Sequence, residues 1–162
     1  HRVEPVDLRS LSRAITIEWA ERAMIKGIDL AFESGDWPHM TEGVPILLRE
    51  LLSNLVDNAI KYTPANGQVT VRLRSTEFLL LEVEDTGPGI PQAERVKVFE
   101  RFYRVLGNEE TGSGLGLPIV QEIADRHRAK VDLLDGDAGG CLFRVSFLRR
   151  GGAVAPIDLR PD

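Results

Sequence analysis

The chain has 162 residues, of which 43% are hydrophobic and 28% are charged, and this length and composition fit one globular domain with short tails. Its formal net charge of -5 argues against a nucleic-acid-binding protein, which needs a basic surface. One cysteine excludes an internal disulfide, and the lack of a long apolar run predicts that the domain makes no direct contact with a membrane.

The apolar spacing predicts both helix and strand in the first third of the chain. A helix begins after Asp7, which is suited to cap it, and ends at Gly27. Alternating apolar residues then predict a strand over 28–32, and the polar run at 33–42 predicts a loop. A second helix is predicted over 45–62, with a wide apolar face that is rich in leucine.

The rest of the chain alternates between strands and helices. The predicted elements are strands at 68–75 and 78–85, a helical turn at 91–100, a helix at 115–128, and strands at 130–134 and 141–148. This order predicts an α+β fold, a two-layer α/β sandwich in which a mixed five-stranded sheet is covered on one face by three helices. We expect residues 1–150 to form one domain and residues 151–162 to be a disordered tail.

The second helix carries a polar stripe opposite its leucine face. Glu50, Asn54, Asn58 and Lys61 follow at spacings of four, four and three residues, so they share one side of the helix. Asparagine is a poor choice for the middle of a helix unless its amide is used. An amide oxygen suits Mg²⁺, and a lysine one turn further on can reach a phosphate. The stripe is therefore either a solvated surface or a metal–phosphate site.

A first glycine cluster follows the strand that ends at Asp85, in the segment 85–90. A carboxylate at a strand end can accept a hydrogen bond from the amino group of adenine, whereas guanine presents a carbonyl at that edge. Glycines beside it let the backbone approach a flat ligand closely. An ordinary Asp-Thr-Gly turn is the alternative for this segment.

A second glycine cluster, 112–117, directly precedes the third helix. Free backbone N–H groups at a helix N-terminus form an anion site suited to a triphosphate. The cluster lacks the lysine of a P-loop and the placement expected of a dinucleotide-binding fold. A flexible linker is the alternative here.

Four segments in this order resemble the sequence boxes of sensor histidine kinases, over residues 7–148. They are the N box at 50–62, the first glycine box at 85–90, the F box at 98–104 and the second glycine box at 112–117. The likeness is greatest to the catalytic domain of kinases that are paired with winged-helix response regulators. The resemblance implies the Bergerat ATP-binding fold, with a flexible ATP lid.

The resemblance also implies a role for each residue that matches a box. Asn58 would ligate Mg²⁺, Asn54 and Lys61 would meet the phosphates, and Tyr62 would pack along the adenine. Asp85 would bind the adenine amino group. The loop residues that would shape the pocket are Gly87, Gly89 and Ile90, and those of the lid are Gly112, Ser113, Gly114, Leu115, Gly116 and Leu117. Arg104 would contact a phosphate, and the residues implied in catalysis are Asn54, Lys61 and Arg104.

The reaction that the resemblance implies is transfer of the γ-phosphoryl group of ATP to a histidine, and from there to a cognate response regulator. His1, His39 and His127 lack the surroundings of such an acceptor, so it would lie on a separate dimerisation domain of the same kinase. The parent would be a bacterial inner-membrane protein with this domain in the cytoplasm. Many relatives carry histidine at the position of Glu50, which leaves its role open, and gyrase-like members carry a water-activating glutamate where this chain has Asn54.

That difference favours transfer to another protein over hydrolysis, because no obvious general base remains to activate water. A serine kinase of the same fold that acts alone, and a nucleotide-sensing domain without turnover, are the alternatives. Phe99 and Phe102 of the F box would tether the lid to the core or to the neighbouring helical domain, or they would be ordinary core aromatics.

Overall fold

Three α-helices and seven strands make up the part of the chain that the structure, a computed structural model, describes: residues 2–103 and 116–150. The helices are α1 (Leu8–Lys26), α2 (Pro45–Tyr62) and α3 (Gly116–Arg126). The strands are β1 (Glu4–Asp7), β2 (Asp29–Glu33), β3 (Met40–Gly43), β4 (Gln68–Ser75), β5 (Leu79–Asp85), β6 (Lys130–Asp135) and β7 (Cys141–Phe147). Two short 3-10 turns, Gln92–Glu94 and Lys97–Phe99, stand where one helical turn was predicted.

The main sheet has five strands in the order β2-β4-β5-β7-β6. β2 runs parallel to β4, and the other neighbours are antiparallel, so the sheet is mixed as predicted. In the pairing of β5 with β7, Glu84 lies opposite Leu142. This register places the end of β5 beside the start of β7.

The hydrophobic core lies between the sheet and the three helices. Alternate residues of the central strands face it, as Val69, Val71 and Leu73 of β4 do. The leucine face of α2 meets them, and its buried residues are Leu48, Leu51, Leu52, Leu55, Val56, Ala59 and Ile60. The two-layer arrangement with helices on one face is therefore confirmed.

Both predicted ends of the first helix are confirmed. The Asp7 side chain accepts a hydrogen bond from the backbone N–H of Arg9 at 3.0 Å and caps α1. Gly27 closes the helix in the left-handed conformation, with φ of 82°, which L-residues with a side chain rarely adopt. Just before it, the Lys26 ammonium donates to the carbonyl oxygens of Ile60 and Lys61 at 2.8 and 2.6 Å, which joins the ends of α1 and α2.

The loop predicted over 33–42 is wrong at its second end. Met40–Gly43 forms strand β3, which pairs antiparallel with β1 in a separate two-stranded sheet. The hydroxyl of Thr41 donates to the carbonyl oxygen of Leu148 at 2.6 Å, so this small sheet also contacts the end of the chain that the structure describes. Polar side chains made the segment resemble a loop. Its partner strand β1 is separated from it along the chain by α1 and β2, so the local sequence pattern does not reveal the pairing.

Candidate functional site

The polar stripe of α2 faces the beginning of α3. Asn54 and Asn58 are half-buried, whereas Glu50 is exposed. A β-carbon placed on Gly116 would lie 3.6 Å from Oδ1 of Asn54, so the first turn of α3 passes directly over that amide. The stripe is therefore not a freely solvated surface along its whole length.

Lys61, at the end of the stripe, is engaged with its own helix. Its ammonium lies 3.1 Å from Oδ2 of Asp57, one turn earlier, and both side chains are partly exposed. Such a pair at i,i+4 contributes little to stability, so the ammonium can exchange this carboxylate for another anion at small cost. Tyr62, the last residue of α2, is half-buried.

Asp85 ends the central strand β5 and is only 5% exposed. Its Oδ1 accepts hydrogen bonds from the backbone N–H of Gly87 at 2.9 Å and of Cys141 at 3.3 Å. Within residues 2–103 and 116–150, no hydrogen bond reaches Oδ2. Burial raises the pKa of Asp85, because the two neutral N–H donors offset only part of the lost hydration and Glu84 adds a like charge.

The loop after Asp85 is pressed against the end of α2. A β-carbon on Gly87 would lie 2.8 Å from the carbonyl oxygen of Tyr62, which no side chain could accommodate without a backbone shift. Gly89 and Ile90 follow in the same loop, and Ile90 packs against the core. The carbonyl oxygen of Tyr62 and the carboxylate of Asp85 thus both lie next to Gly87.

A third glycine segment, which none of the four sequence boxes contains, lies beside Asp85. It is the turn 136–140 between β6 and β7. A β-carbon on Gly140 would lie 2.0 Å from the backbone oxygen of Asp85 and 2.6 Å from its Oδ1, so only glycine fits there. Glu84 holds the turn by accepting from the N–H of Asp137 at 2.7 Å. The pair Gly139-Gly140 before β7 is visible in the sequence, but the contact of Gly140 with Asp85 becomes evident only from the register of β5 and β7.

The two F-box phenylalanines differ. Phe99 packs edge-to-face on Phe143 with ring centroids 6.2 Å apart, so it is a core aromatic. Phe102 is 69% exposed and has φ of 65°. The ring of Phe102 is therefore exposed for contact with another surface, whereas the ring of Phe99 packs against Phe143.

The two histidines that the structure describes have structural contacts. His39 is buried, and its backbone N–H donates to Oδ1 of Asp7 at 3.0 Å. Nε2 of His127 accepts from the N–H of Val44 at 3.0 Å, and its Nδ1 lies 2.8 Å from the carbonyl oxygen of Ile123. Neither ring is presented as a phosphoryl acceptor.

Several predicted site residues lie outside the described residues. They are Arg104, Gly112, Ser113, Gly114 and Leu115, and the tail 151–162 lies outside as well. Gly116 and Leu117 are described and form the first turn of α3. Across residues 2–103 and 116–150, no three His, Cys, Asp or Glu side chains come together to hold a metal ion, and no helix is long and apolar enough to cross a membrane.

The sequence family described as histidine kinase-, DNA gyrase B- and HSP90-like ATPases matches residues 43–151. Sensor protein kinase PmrB of Pseudomonas aeruginosa is 38% identical over an alignment 162 residues long, which covers 98% of this chain and 34% of PmrB. The chain spans about a third of the length of such curated relatives.

Solved structures agree with the sequence relatives. The mycobacterial sensor histidine kinase MprB superposes with a TM-score of 0.80 at 32% identity, covering 91% of this chain and 99% of the MprB chain. Full-length ShkA in complex with AMPPNP superposes with a TM-score of 0.77 at 29% identity, covering 96% of this chain and 32% of the ShkA chain.

Proposed function

Since this chain belongs to the family of histidine kinase-, DNA gyrase B- and HSP90-like ATPases, and its relatives are sensor kinases, we propose that it serves as the ATP-binding catalytic domain of a sensor histidine kinase. The γ-phosphoryl group of ATP goes to a histidine on a separate dimerisation domain and then to a response regulator. The parent protein is an inner-membrane sensor, and this domain lies on its cytoplasmic side.

The observation that carries the proposal is the buried carboxylate of Asp85 with one oxygen left over. Its Oδ1 is held by two backbone N–H groups, which fixes the direction of Oδ2. An ionised carboxylate on a residue that is only 5% exposed is costly unless a partner is supplied. The exocyclic amino group of adenine is such a partner, and guanine has no donor at that edge. Tyr62, Gly87, Gly89 and Ile90 then surround the base.

The phosphates lie along the stripe of α2 in this proposal. Asn54 and Asn58 offer neutral amide oxygens and N–H groups, and the ammonium of Lys61 can leave Asp57 for a phosphate oxygen. The donor set fits Mg²⁺, which prefers oxygen ligands and is commonly bound through few protein groups together with substrate phosphates. Asn58 would hold the ion, which would offset phosphate charge. By the resemblance, Arg104 and the lid residues 112–117 would contact the phosphates, and of these only Gly116 and Leu117 are among the described residues.

Phosphoryl transfer needs positioning and charge compensation more than covalent help from this domain. An unprotonated imidazole nitrogen of the acceptor forms a bond to the γ-phosphorus while the bond to the β–γ bridging oxygen breaks and ADP leaves, and the proton on the other ring nitrogen passes to solvent. Asn54 occupies the position at which water-activating relatives carry glutamate, so the described residues orient the phosphates without activating water. We therefore expect slow hydrolysis by the isolated chain.

Calorimetry with a non-hydrolysable ATP analogue and magnesium tests the binding half of the proposal. Asp85→Asn should lower affinity at least tenfold, because an amide presents its N–H₂ where an acceptor is needed. Asn58→Ala should mainly reduce the gain in affinity that magnesium brings. Asp29→Asn, the same chemical change at an exposed strand residue, is the matched control and should bind normally. Failure of the unaltered chain to bind at millimolar concentrations would defeat the proposal.

The transfer half is tested in a longer protein that includes the histidine-bearing hairpin. Incubation with labelled ATP should yield a phosphoprotein that loses its label in acid and keeps it in base, as a phosphohistidine does. An acid-stable label would point instead to a serine kinase of the same fold.

A further inference from the structure

The helix α2 ends without a glycine cap, at the point where its polar stripe reaches Lys61. Thr63 follows the helix in an extended conformation, with φ of -95° and ψ of 123°, and its backbone N–H donates to the carbonyl oxygen of Ala59 at 3.1 Å. Many helices end instead with a glycine in the left-handed conformation, and the backbone N–H groups of that turn satisfy the last carbonyl oxygens. The carbonyl oxygens of Ile60 and Lys61 therefore need donors from elsewhere in the fold.

Lys26, the last residue of α1, supplies those donors. Its ammonium donates to the carbonyl oxygen of Ile60 at 2.8 Å and to that of Lys61 at 2.6 Å. These carbonyls belong to the two planar peptide groups on either side of the Lys61 Cα, so one ammonium fixes both planes between which the Lys61 side chain leaves the backbone. The positive charge is also favourable there, because it faces the negative end of the helix dipole.

The end of α1 is itself held against the turn that follows α2. The carbonyl oxygen of Gly27 accepts from the backbone N–H of Asn66 at 2.8 Å, and the backbone N–H of Asp29 donates to the carbonyl oxygen of Gly67 at 3.0 Å. Neither hydrogen bond involves the side chain of Lys26. Removal of the Lys26 ammonium should therefore loosen the last turn of α2 without separating α1 from the turn that follows it.

We propose that Lys26 is a positioning residue of the nucleotide site, which directs the Lys61 ammonium towards the phosphates by fixing the backbone of the last turn of α2. The inference deepens the proposed function and rests on it, since it requires Lys61 to contact a phosphate. In the structure the Lys61 ammonium lies 3.1 Å from Oδ2 of Asp57, so its side chain must turn from that carboxylate to the nucleotide. A backbone that is already fixed lowers the cost of this change, because only the side chain is left to be ordered on binding.

A double-mutant cycle on the affinity for the non-hydrolysable ATP analogue with magnesium tests this role. In calorimetry, Lys61→Met should lower the affinity about tenfold or more, as loss of a charge-assisted hydrogen bond does, and Lys26→Met should lower it about fivefold. If Lys26 acts through Lys61, adding Lys26→Met to Lys61→Met should cost less than about a further twofold. A direct attraction between the Lys26 charge and the phosphates would give the same loss in both backgrounds, and that result would overturn the inference.

Arg49→Met is the matched control, because it removes another contact between the same two helices. Nη2 of Arg49 lies 2.9 Å from both carboxylate oxygens of Glu18, near the start of α2. This variant should keep the affinity within about twofold of that of the unaltered chain, whereas a loss as large as that of Lys26→Met would indicate general loosening of the helices and overturn the inference. Lys26→Arg keeps the charge and the N–H donors and should recover most of the lost affinity, so a Lys26→Arg protein as weak as Lys26→Met would also count against it.

Urea unfolding shows whether each protein is folded under the conditions of the titration. If Lys26→Met does not fold, Lys26→Gln replaces it in the cycle, because its amide can still donate to a carbonyl oxygen, and a loss of about threefold is expected only where Lys61 is present. Unchanged affinity of the Lys26 variants, or of Lys61→Met, would overturn the role of Lys26 while ATP binding by the chain stands. Failure of the unaltered chain to bind would instead defeat the proposed function.

Discussion

We expect Glu82→Gln to lower the free energy of unfolding by about 3 kcal/mol, because the side chain is the buried anion of an arginine cluster. Glu82 belongs to the central strand β5 and points to the face of the sheet that no helix covers, yet its side chain is 0% exposed. Arg72 of β4 and Arg144 of β7 lie directly opposite it in the sheet register and close over it from both sides.

The magnitude follows from the contacts that the substitution removes. Nε of Arg144 lies 2.7 Å, Nη2 of Arg74 2.9 Å and Nη1 of Arg72 3.2 Å from the Glu82 carboxylate. Taking one partner from a buried ion pair costs about 3–5 kcal/mol. The lower end applies here, because the arginine side chains are 16–30% exposed and can turn to water, and Arg72 keeps Glu84 at 3.1 Å.

Urea unfolding at pH 7 measures the effect. With a slope of about 2 kcal/mol/M, a loss of about 3 kcal/mol lowers the midpoint by about 1.5 M. Glu33→Gln is the matched control, since that side chain is 55% exposed and contacts only the edge of the cluster through Arg72. It should cost less than about 1 kcal/mol, as exposed ion pairs do.

The difference in free energy of unfolding between wild type and Glu82→Gln should also depend on pH. Burial by itself raises the pKa of Glu82, but the hydrogen bonds and charges of Arg74 and Arg144 outweigh it, so that the pKa is lowered. A carboxyl with a lowered pKa stabilises the fold above its unfolded value of about 4.3 and loses that stabilisation as the pH falls through the folded value. The gap between wild type and Glu82→Gln should therefore narrow below about pH 4. A gap that stays constant to pH 3, or one below 1 kcal/mol at pH 7, would refute the reasoning.

Three further predictions concern the start of α1 and the candidate site. Asp7→Ala removes the acceptor of the Arg9 N–H and should lower the melting temperature by about 2–6 °C in a thermal scan, while Asp7→Asn should recover most of that loss. Gly140→Ala should reduce affinity for the ATP analogue at least tenfold in calorimetry, because its β-carbon would lie 2.0 Å from a backbone oxygen, whereas Gly35→Ala, with 3.5 Å to its nearest neighbour, should bind normally. Since the pKa of Asp85 is raised, nucleotide affinity should begin to fall at a higher pH than an ordinary aspartate would dictate, and an acid-independent affinity in titrations from pH 7 to 4 would contradict this.

The local sequence pattern was sufficient to predict the helices that bury one face and the residues at which they begin and end. The leucine face of α2, the cap at Asp7 and the end of α1 at Gly27 each depend on residues within one or two turns of chain, and all three are confirmed. The pairing of Glu4–Asp7 with Met40–Gly43 was missed because it joins segments separated by a helix and a strand. Contacts of that range depend on the tertiary fold, which periodicity does not encode.

The candidate site shows the same division. Asn54, Asn58 and Asp85 could be proposed as site residues from the sequence, because the two asparagines lie one turn apart in the middle of a helix and the aspartate ends a strand. The contacts of Gly140 and of the Cys141 backbone N–H with Asp85 could not be predicted, since they follow from the antiparallel register of β5 and β7, which sets residue 84 opposite residue 142. The partner that Lys61 takes in the structure, Asp57, is likewise a matter of side-chain conformation, although the i,i+4 spacing permits it.

Two carboxylates of β5 show how one strand can serve both stability and a ligand. Glu82 and Asp85 are three residues apart, lie on opposite faces and are both almost inaccessible to solvent. Arginines on neighbouring strands neutralise Glu82 and lower its pKa, so its charge is already satisfied within the fold. Asp85 receives only neutral N–H donors on one oxygen, and its pKa is raised. Since a raised pKa means that the ionised form destabilises the free protein, Asp85→Asn should leave the nucleotide-free fold as stable as wild type or more stable while it weakens ATP binding.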